Sequence, residues 1–171
     1  MPEASYVHGA SDVPLLGQTI GENLRQTVAR FGDREALVVR SQGFRCTYAE
    51  LWQRTTELAR GLMAAGVHEG DRVGIWAPNR HEWVALQYAT ARIGAILVNV
   101  NPAFKAAELR HALAHSGVST LFMSETFRTT RYPDVFAQVR GDCPGVTQAL
   151  VLEHDWEALI ARGAKVSDAE L

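Results

Sequence analysis

The sequence predicts an α/β fold in which helices flank a mostly parallel, layered sheet. Short apolar runs such as residues 73–77 are bounded by turn-forming residues and are too short for helices, which is typical of strands buried on both faces. Segments with helical spacing separate these runs, and strands that alternate with helices favour a parallel sheet. A chain of 171 residues can bury one core, so we expect a single domain.

Residues 70–102 show this alternation most clearly. Residues 73–77 predict a strand, and Asn79 is expected to cap the following helix, with Glu82 three positions later as in a capping box. Residues 95–100 predict a second buried strand after Gly94, which is expected to end the helix. The apolar face of the helix is formed by Trp83, Leu86, Thr90 and Ile93. A strand, a helix and a strand in this order predict a βαβ unit with parallel strands.

The N-terminal part of the chain predicts two more helices and one strand. A helix is expected before Gly32, and residues 36–39 are rich in strand-forming residues. Thr47 and Glu50 have the spacing of a capping box, and Gly66 is expected to end that helix in a left-handed conformation. The apolar stripes of the two helices are Ile20, Leu24, Val28 and Phe31, and Leu51, Thr55, Leu58 and Leu62.

The C-terminal part continues the pattern. A helix is expected between Pro102 and Gly117, and strands are expected at residues 119–123 and 148–152. Two further helices are indicated by Val135, Phe136 and Val139, and by Trp156, Leu159 and Ile160.

Composition narrows the classes of partner. The net charge of −2 gives no reason to expect nucleic acid or an anionic membrane as a partner. The two cysteines, Cys46 and Cys143, have no metal or redox spacing, and we expect a reduced, cytoplasmic chain. No apolar stretch approaches the roughly 20 residues of a membrane span, and the N-terminus does not have the pattern of a secretory signal.

Several segments carry a family resemblance. They are SYVHGASDVPLLGQTIGENL at residues 5–24, REALVVR at 34–40, TYAEL at 47–51, GDRVGIWAPN at 70–79 and ARIGAILVNVNP at 91–102, followed by Glu108 and Leu109. In this order and spacing they resemble the N-terminal portion of ATP-dependent, AMP-forming acyl-CoA synthetases of the adenylate-forming superfamily, in particular the medium-chain fatty acyl-CoA ligase branch. Lys105 and Ala106 depart from the threonine and proline of many relatives, which predicts a less sharply fixed helix start.

The resemblance implies that residues 1–171 are an incomplete part of the large N-terminal domain of these enzymes. The family joins a carboxylic acid to ATP, giving an acyl-adenylate and pyrophosphate, and the thiol of coenzyme A then displaces AMP. The parent enzyme is therefore expected to use ATP, Mg²⁺ and coenzyme A, with a fatty acid as substrate. The family's phosphate loop and C-terminal domain have no counterpart here, since the chain contains no Gly-Lys and no Gly-x-Gly.

We therefore assign no catalytic, cofactor-binding or metal-binding residue, and we expect the chain alone to be inactive and to bind no cofactor. Some residues nevertheless suggest sites. Glu108, His111 and His115 share one face of a predicted helix, where two histidines four apart can bind zinc. That face lies opposite Leu109 and Leu113, so a solvated polar face is the better interpretation.

Arginine and aromatic side chains suggest two further sites. Arg128 and Arg131, near Tyr132, are candidates to meet a phosphate of coenzyme A, although an exposed basic helix start is the simpler interpretation. Trp83 is a candidate to border an acyl tunnel, against the simpler interpretation as a core aromatic residue. Asn101 is expected to bind backbone at the end of its strand.

Two classes of function remain open. The chain is either an N-terminal piece of a fatty acyl-CoA ligase, with an aryl or amino-acid adenylating enzyme as a variant of the same class, or a stand-alone, non-catalytic α/β binding module. Residues 166–171 have the composition of an interrupted linker, which favours the first class. In that class we expect uncovered apolar surface on residues 73–77, residues 95–100, Trp83 and Leu86, and therefore self-association.

Overall fold

The computed structural model describes residues 9, 12–167 and 171. The remaining parts of the leader resemblance and of the predicted linker lie outside the described residues. The α-helices are α1 Ile20–Phe31, α2 Tyr48–Ala64, α3 His81–Arg92, α4 Ala106–Ser116, α5 Tyr132–Val139 and α6 Leu152–Arg162. The strands are β1 Glu35–Val39, β2 Phe44–Thr47, β3 Arg72–Trp76, β4 Ile96–Val100, β5 Thr120–Met123, β6 Thr126–Phe127, β7 Thr130–Arg131 and β8 Gln148–Val151. Within the described ranges, no helix has the length and apolar character needed to cross a membrane.

A four-stranded parallel sheet forms the centre of the fold, in the order β4-β3-β5-β8. Val73 of β3 lies opposite Leu97 of β4 and Thr120 of β5, so the central strand has partners on both sides. This confirms the predicted α/β class and the parallel βαβ unit. Two antiparallel hairpins, β1-β2 and β6-β7, accompany the sheet. The sequence interpretation missed β2, β6 and β7, because two to four residues carry too little periodicity.

Helices cover both faces of the sheet. On one face, the side chains of Val73 and Ile75 join a core with α2, α3 and α6. On the other face, Trp76 joins a core with α4 and α5. Alternate side chains of a strand point to opposite faces, so β3 contributes to both cores and is buried along most of its length. A smaller third core, around Leu24 and Leu51, joins α1 and the β1-β2 hairpin to α2.

Helix ends follow the predicted chemistry in several places. The capping box is confirmed, since the Thr47 hydroxyl accepts from Glu50 N and the Glu50 carboxylate accepts from Thr47 N. Gly66 and Gly94 follow α2 and α3 with φ angles of +86° and +71°. In α4, Lys105 has no side-chain acceptor, but Glu108 Oε2 still accepts from Lys105 N at 3.1 Å, and this half of a capping box supports a start at Ala106.

The prediction that Asn79 caps α3 is wrong. The helix begins at His81, and its N-cap residue is Arg80, whose own side chain does not cap it. The Glu82 carboxylate, expected to complete the box, instead accepts hydrogen bonds from the side chains of Arg80 and Gln42. The charge-assisted hydrogen bonds of Glu82 with Arg80 are nearly buried and therefore stronger than an exposed cap. The Glu82 carboxylate binds Arg80 for this reason.

The predicted uncovered surface is wrong at residues 73–77 and at Leu86, but it is confirmed at Ile96 of β4. Residues 73–77 and Leu86 are buried within this chain, and Trp83 is half-buried against the core. The prediction that residues 95–100 form a fully buried strand is wrong, because β4 is an edge strand and Ile96 is 48% exposed. Periodicity cannot separate a central from an edge parallel strand, since position in the sheet depends on the connections.

Candidate functional site at the carboxyl edge of the sheet

The order of the strands points to one place where a ligand would be expected. From β3 the chain moves to β4 on one side and then crosses to β5 on the other side. In open parallel sheets, ligands bind in the crevice outside the carboxyl ends of the strands where this reversal occurs. The crevice here lies after Trp76 of β3 and Met123 of β5, and the residues that follow these strands occupy it.

Arg80 occupies this crevice. Its Nη1 donates to Ser124 Oγ at 3.0 Å, so it joins the segments that follow β3 and β5. Its Nε and Nη2 donate to the two carboxylate oxygens of Glu82 at 2.8 and 2.6 Å, and Nη1 also pairs with Glu153 at the start of α6. The side chains of Arg80 and Glu82 are only 12% and 8% exposed. We call Arg80, Glu82, Ser124 and Glu153 the arginine clamp.

The β1-β2 hairpin is attached to the same clamp. Gln42 Nε2 donates to Glu82 Oε2 at 3.0 Å, and Gln42 Oε1 accepts from His81 N at 2.8 Å. The ring of Phe44 stacks on the ring of His81 with their centroids 3.9 Å apart. The clamp therefore ties together the hairpin, the start of α3, the end of β5 and the start of α6.

The charged groups of the clamp keep one another ionised at neutral pH. Burial acts to raise the pKa of Glu82, but the hydrogen bonds from Arg80 and Gln42 outweigh it and lower the pKa from 4.5 to about 2. Burial acts to lower the pKa of Arg80, and the hydrogen bonds to Glu82 and Glu153 outweigh it, so the net shift is upward. Burial lowers the pKa of His81; the charge of Glu82 opposes this shift, and the charges of Arg80 and Arg54 add to it. His81 is thus held towards its neutral form beside the charged pair.

The clamp can hold and orient segments of the chain. Its charged groups are paired with one another. Arg80 directs donors to two carboxylates and a hydroxyl, all belonging to the chain itself. A guanidinium has five N–H donors, and four contacts to Glu82, Ser124 and Glu153 already use most of them. Little capacity to bind a phosphate therefore remains. At the carboxyl ends of β3 and β5, the Arg80 side chain is therefore engaged mainly with groups of this chain.

The clamp makes an acid-dependent contribution to stability. The folded pKa of Glu82 lies below its unfolded value, so this contribution is complete above about pH 4.5 and is lost as the pH falls towards 2; at full strength it is roughly 3 kcal/mol. We expect the stability difference between the wild type and Glu82→Gln to be largest near pH 6 and to fall steeply as the pH approaches 2, because a protonated glutamate resembles glutamine. Urea unfolding followed by circular dichroism at several pH values measures it.

Glu22→Gln is the matched control for this titration. The pKa of Glu22 is also about 2, chiefly because of its hydrogen bond with Arg25, but this pair is solvent-exposed on α1. Its removal is therefore expected to change stability far less at any pH. A stability difference for Glu82→Gln that stays constant from pH 6 to pH 2 would contradict the role of the clamp.

An aromatic pair fixes the neighbouring strand end. The rings of Trp76 and Tyr132 are stacked with centroids 3.7 Å apart, and both residues are buried. Trp76 Nε1 donates to the carbonyl oxygen of Asn101 at 3.1 Å, and the Tyr132 hydroxyl donates to the carbonyl oxygen of Pro102 at 2.6 Å. Asn101 Oδ1 accepts from Ala103 N at 2.9 Å, which confirms its predicted backbone role. Burial raises the pKa of Tyr132 to about 12, so its hydroxyl remains a donor.

The histidine pair on α4 lies on an exposed face of the helix. The rings of His111 and His115 stack with their centroids 5.5 Å apart, and both residues are exposed, as is Glu108. In the part of the chain that the structure describes, no three His, Cys, Asp or Glu side chains come together in a way that could hold a metal ion. The exposed positions of Glu108, His111 and His115 support the interpretation as a solvated polar face.

Arg128 and Arg131 lie on the β6-β7 hairpin and are exposed. Arg131 pairs with Glu125 and Asp134 at 3.3 and 3.5 Å, so its charge is compensated. Arg128 has a φ of +55° and packs over the ring of Phe127, next to a cavity of about 270 Å³ that Lys105 also lines. A phosphate contact for these arginines stays a prediction.

Trp83 lines an open groove of about 490 Å³ between β1 and the start of α3, together with Val38 and Val84. Its ring also packs against the main core, as the simpler interpretation predicted. The sequence interpretation missed Arg80, Ser124 and Glu153. Each follows the end of a strand in the sequence, but the 73-residue separation of Arg80 from Glu153 hides their pairing until the sheet is formed.

The parallel sheet with helices on both faces defines the class as a three-layered α/β fold. The family model described as AMP-binding enzyme matches residues 24–170. This chain belongs to the AMP-binding enzyme family, and the resemblance drawn from its motifs is confirmed.

Two relatives with similar sequences are an acyl-CoA ligase and a putative acyl-CoA synthetase. It is 41% identical over 145 residues to the mouse mitochondrial medium-chain acyl-CoA ligase ACSF2, covering 85% of this chain and 23% of the relative. It is 43% identical over 121 residues to the putative acyl-CoA synthetase YngI of Bacillus subtilis, covering 71% of this chain and 22% of that protein. The chain therefore spans about a quarter of the length of these relatives.

Solved structures agree on the fold. The N-terminal domain of FACL13 from Mycobacterium tuberculosis superposes with a TM-score of 0.78 at 29% identity, covering 90% of this chain and 39% of that one. The long-chain-fatty-acid-CoA ligase FadD1 from Archaeoglobus fulgidus gives a TM-score of 0.81 at 24% identity, covering 95% and 33%. The prediction of a partial N-terminal domain of an adenylate-forming enzyme is confirmed as a fold class.

Proposed function

We propose that this chain is the N-terminal part of an ATP-dependent acyl-CoA ligase. The observation that carries the proposal is the family match over residues 24–170 together with 41% identity to a medium-chain acyl-CoA ligase. The longer protein joins a fatty acid to ATP, releases pyrophosphate and transfers the acyl group from the adenylate to coenzyme A. ATP, Mg²⁺ and coenzyme A are bound by residues outside this chain.

Within that enzyme, residues 1–171 act as a scaffold subdomain and are inactive alone. The arginine clamp supports this role, since Arg80 uses its donors to connect segments at the edge where a parallel sheet would hold a nucleotide. The sequence supports it too, because it has no Gly-rich loop ending in lysine, and removing even one oriented donor lowers a catalytic rate by about 10²–10³-fold.

A medium-chain fatty acid is the proposed substrate, because the relatives from mouse and zebrafish are medium-chain acyl-CoA ligases. An aryl or amino-acid adenylating enzyme is the alternative within the same reaction class. We also propose that the enzyme is cytoplasmic and has no nucleic-acid partner. The buried, unbridged state of Cys46 and Cys143 supports a reducing compartment.

The test isolates the polypeptide that carries this sequence from its native cells. We expect a chain severalfold longer than 171 residues that forms coenzyme A thioesters and AMP, with medium-chain fatty acids preferred over aryl acids and amino acids. The purified 171-residue chain, assayed in parallel, is expected to show no ATP–pyrophosphate exchange. Mass spectrometry and a thioester assay measure both.

Other outcomes decide between the alternatives. A preference for aryl acids or amino acids would change the substrate but keep the reaction class. A native product of 171 residues that binds a ligand without thioester formation would replace the proposal with a stand-alone binding module.

A further inference from the structure

The hairpin tip, which we define as residues 39–44 at the end of the β1-β2 hairpin, docks on His81, the first residue of α3. The ring of His81 stacks on the ring of Phe44 with their centroids 3.9 Å apart and an angle of 13° between the ring planes. The His81 N–H also donates to Gln42 Oε1 at 2.8 Å. Because both contacts come from one residue of α3, the charge state of His81 affects how firmly the tip is held.

The surroundings of His81 suit a neutral ring better than a charged one. Its side chain is only 22% exposed, and it lies at a helix N-terminus, where the helix dipole disfavours a cation. The ionisable groups that act on it are Glu82 on α3, Arg80 before that helix and Arg54 on α2, and the hairpin meets it with an aromatic ring and an amide. The Arg54 guanidinium already lies 5.2 Å from the centroid of the Phe44 ring. A protonated His81 would bring a second cation to that ring.

The carboxylate beside His81, that of Glu82, is already engaged. Glu82 Oε2 accepts from Arg80 Nε at 2.8 Å and from Gln42 Nε2 at 3.0 Å. His81 Nε2 lies 3.5 Å from the same Oε2 atom. A protonated ring would compete for this oxygen with the neutral amide of Gln42, and charge-assisted hydrogen bonds are roughly twice as strong as neutral ones. Protonation therefore weakens the hold of Gln42, and with it that of the tip.

We propose that His81 is a pH-sensitive latch: the neutral ring docks the hairpin tip on α3, and protonation releases Gln42 from Glu82 and opens the tip. Burial, opposed by the charge of Glu82 and assisted by those of Arg80 and Arg54, holds the pKa of the docked His81 below its ordinary value of 6.5. The open tip therefore binds the proton more tightly than the docked tip. Docking is complete above about pH 6.5 and is lost progressively as the pH falls below that value.

Opening of the tip changes the groove of about 490 Å³ beside the clamp. Residues 37–41 of the hairpin line one side of this groove, and Trp83 and Val84 of α3 line the other. The Glu82 carboxylate is still ionised at pH 5.5, since its pKa is about 2, so Arg80 keeps its charged partner while the tip opens. The latch therefore widens the groove without disrupting the clamp.

Hydrogen exchange of single amides, followed by NMR at pH 7.5 and 5.5 and corrected for the intrinsic rate at each pH, tests the latch. The N–H groups of His81 and Gly43 report on the tip, because they donate to Gln42 Oε1 and to a carbonyl within the tip. We expect their opening constants to rise by roughly fivefold at pH 5.5, and by no more than about tenfold, since this pH lies one unit below the ordinary pKa of histidine. The Tyr48 N–H at the base of the hairpin should stay within about twofold.

Two variants of His81 remove the titration. His81→Phe keeps an aromatic ring against Phe44 but binds no proton, so the opening constant at Gly43 is expected to agree within about twofold at the two pH values. His81→Gln is also neutral throughout but loses the stacked ring, so the tip should open more than in the wild type, and equally at both pH values. His115→Phe is the matched control, because it removes an exposed histidine on α4 and should leave the acid response of the tip unchanged.

The outcomes separate the latch from other effects of acid. Loss of the acid response in both His81 variants, with retention in His115→Phe, supports the proposal. An equal acid response in the wild type and in the His81 variants would overturn it, since another group would then be titrating. Constant protection of the wild-type tip from pH 7.5 to 5.5 would overturn it as well, and so would equal rises at Gly43 and Tyr48, which would mean that the whole hairpin unfolds.

Discussion

Replacing Arg80 with methionine is expected to lower the free energy of unfolding by about 3–5 kcal/mol, because it leaves the nearly buried Glu82 carboxylate without its charged partner. The same change removes the donor to Ser124 and the ion pair with Glu153, so the ends of β3 and β5 lose their connection to α6. Urea unfolding at neutral pH, followed by circular dichroism, measures the loss.

Arg45→Met is the matched control. Arg45 also pairs with a carboxylate, that of Glu35 across the β1-β2 hairpin, but these side chains are 65% and 42% exposed. The expected loss is at most about 1 kcal/mol, since solvent screens exposed pairs. The double variant Arg80→Met with Glu82→Leu should recover part of the loss, because it leaves no buried charge. Equal losses for Arg80→Met and Arg45→Met would show that the clamp is not effectively buried.

Replacing Gly61 with alanine is expected to destabilise the chain by about 3 kcal/mol, the upper part of the usual range for overpacking. A Cβ atom at Gly61 would lie 2.6 Å from the carbonyl oxygen of Leu159 on α6. The atoms that it meets are backbone, so they cannot move aside as a flexible side chain would. Thermal and urea unfolding measure the change.

The sign of this effect is informative. Alanine in place of glycine stabilises a free helix by up to about 1 kcal/mol, so a loss at Gly61 reports the contact between α2 and α6. The contact is reciprocal, because a Cβ atom at Gly163 would lie 2.5 Å from Gly61 N. Gly141→Ala serves as the control, since nothing lies within 4 Å of its added Cβ. A stabilised Gly61→Ala variant would mean that the two helices can separate without loss.

The predictions from sequence succeeded where local chemistry decides. The hydroxyl of Thr47 and the carboxylate of Glu50 can satisfy each other only across one helical turn, so their spacing identifies the start of α2. They failed at Asn79, where the local rule was sound but a residue from the β1-β2 hairpin, Gln42, competed for Glu82. Such competition is invisible in sequence, because the two residues are 40 positions apart.

By itself, the sequence determined the α/β class, the order of the helices and the main strands, and the family, because each rests on periodicity, capping residues and motif spacing. Only the tertiary structure decided that β4 is an exposed edge, that Arg80 joins the segments after β3 and β5, and that Leu15 and Leu16 are exposed. The physical reason is that burial and ion pairing depend on which distant segments meet. In a parallel sheet, the connections between strands set those meetings, and local periodicity does not.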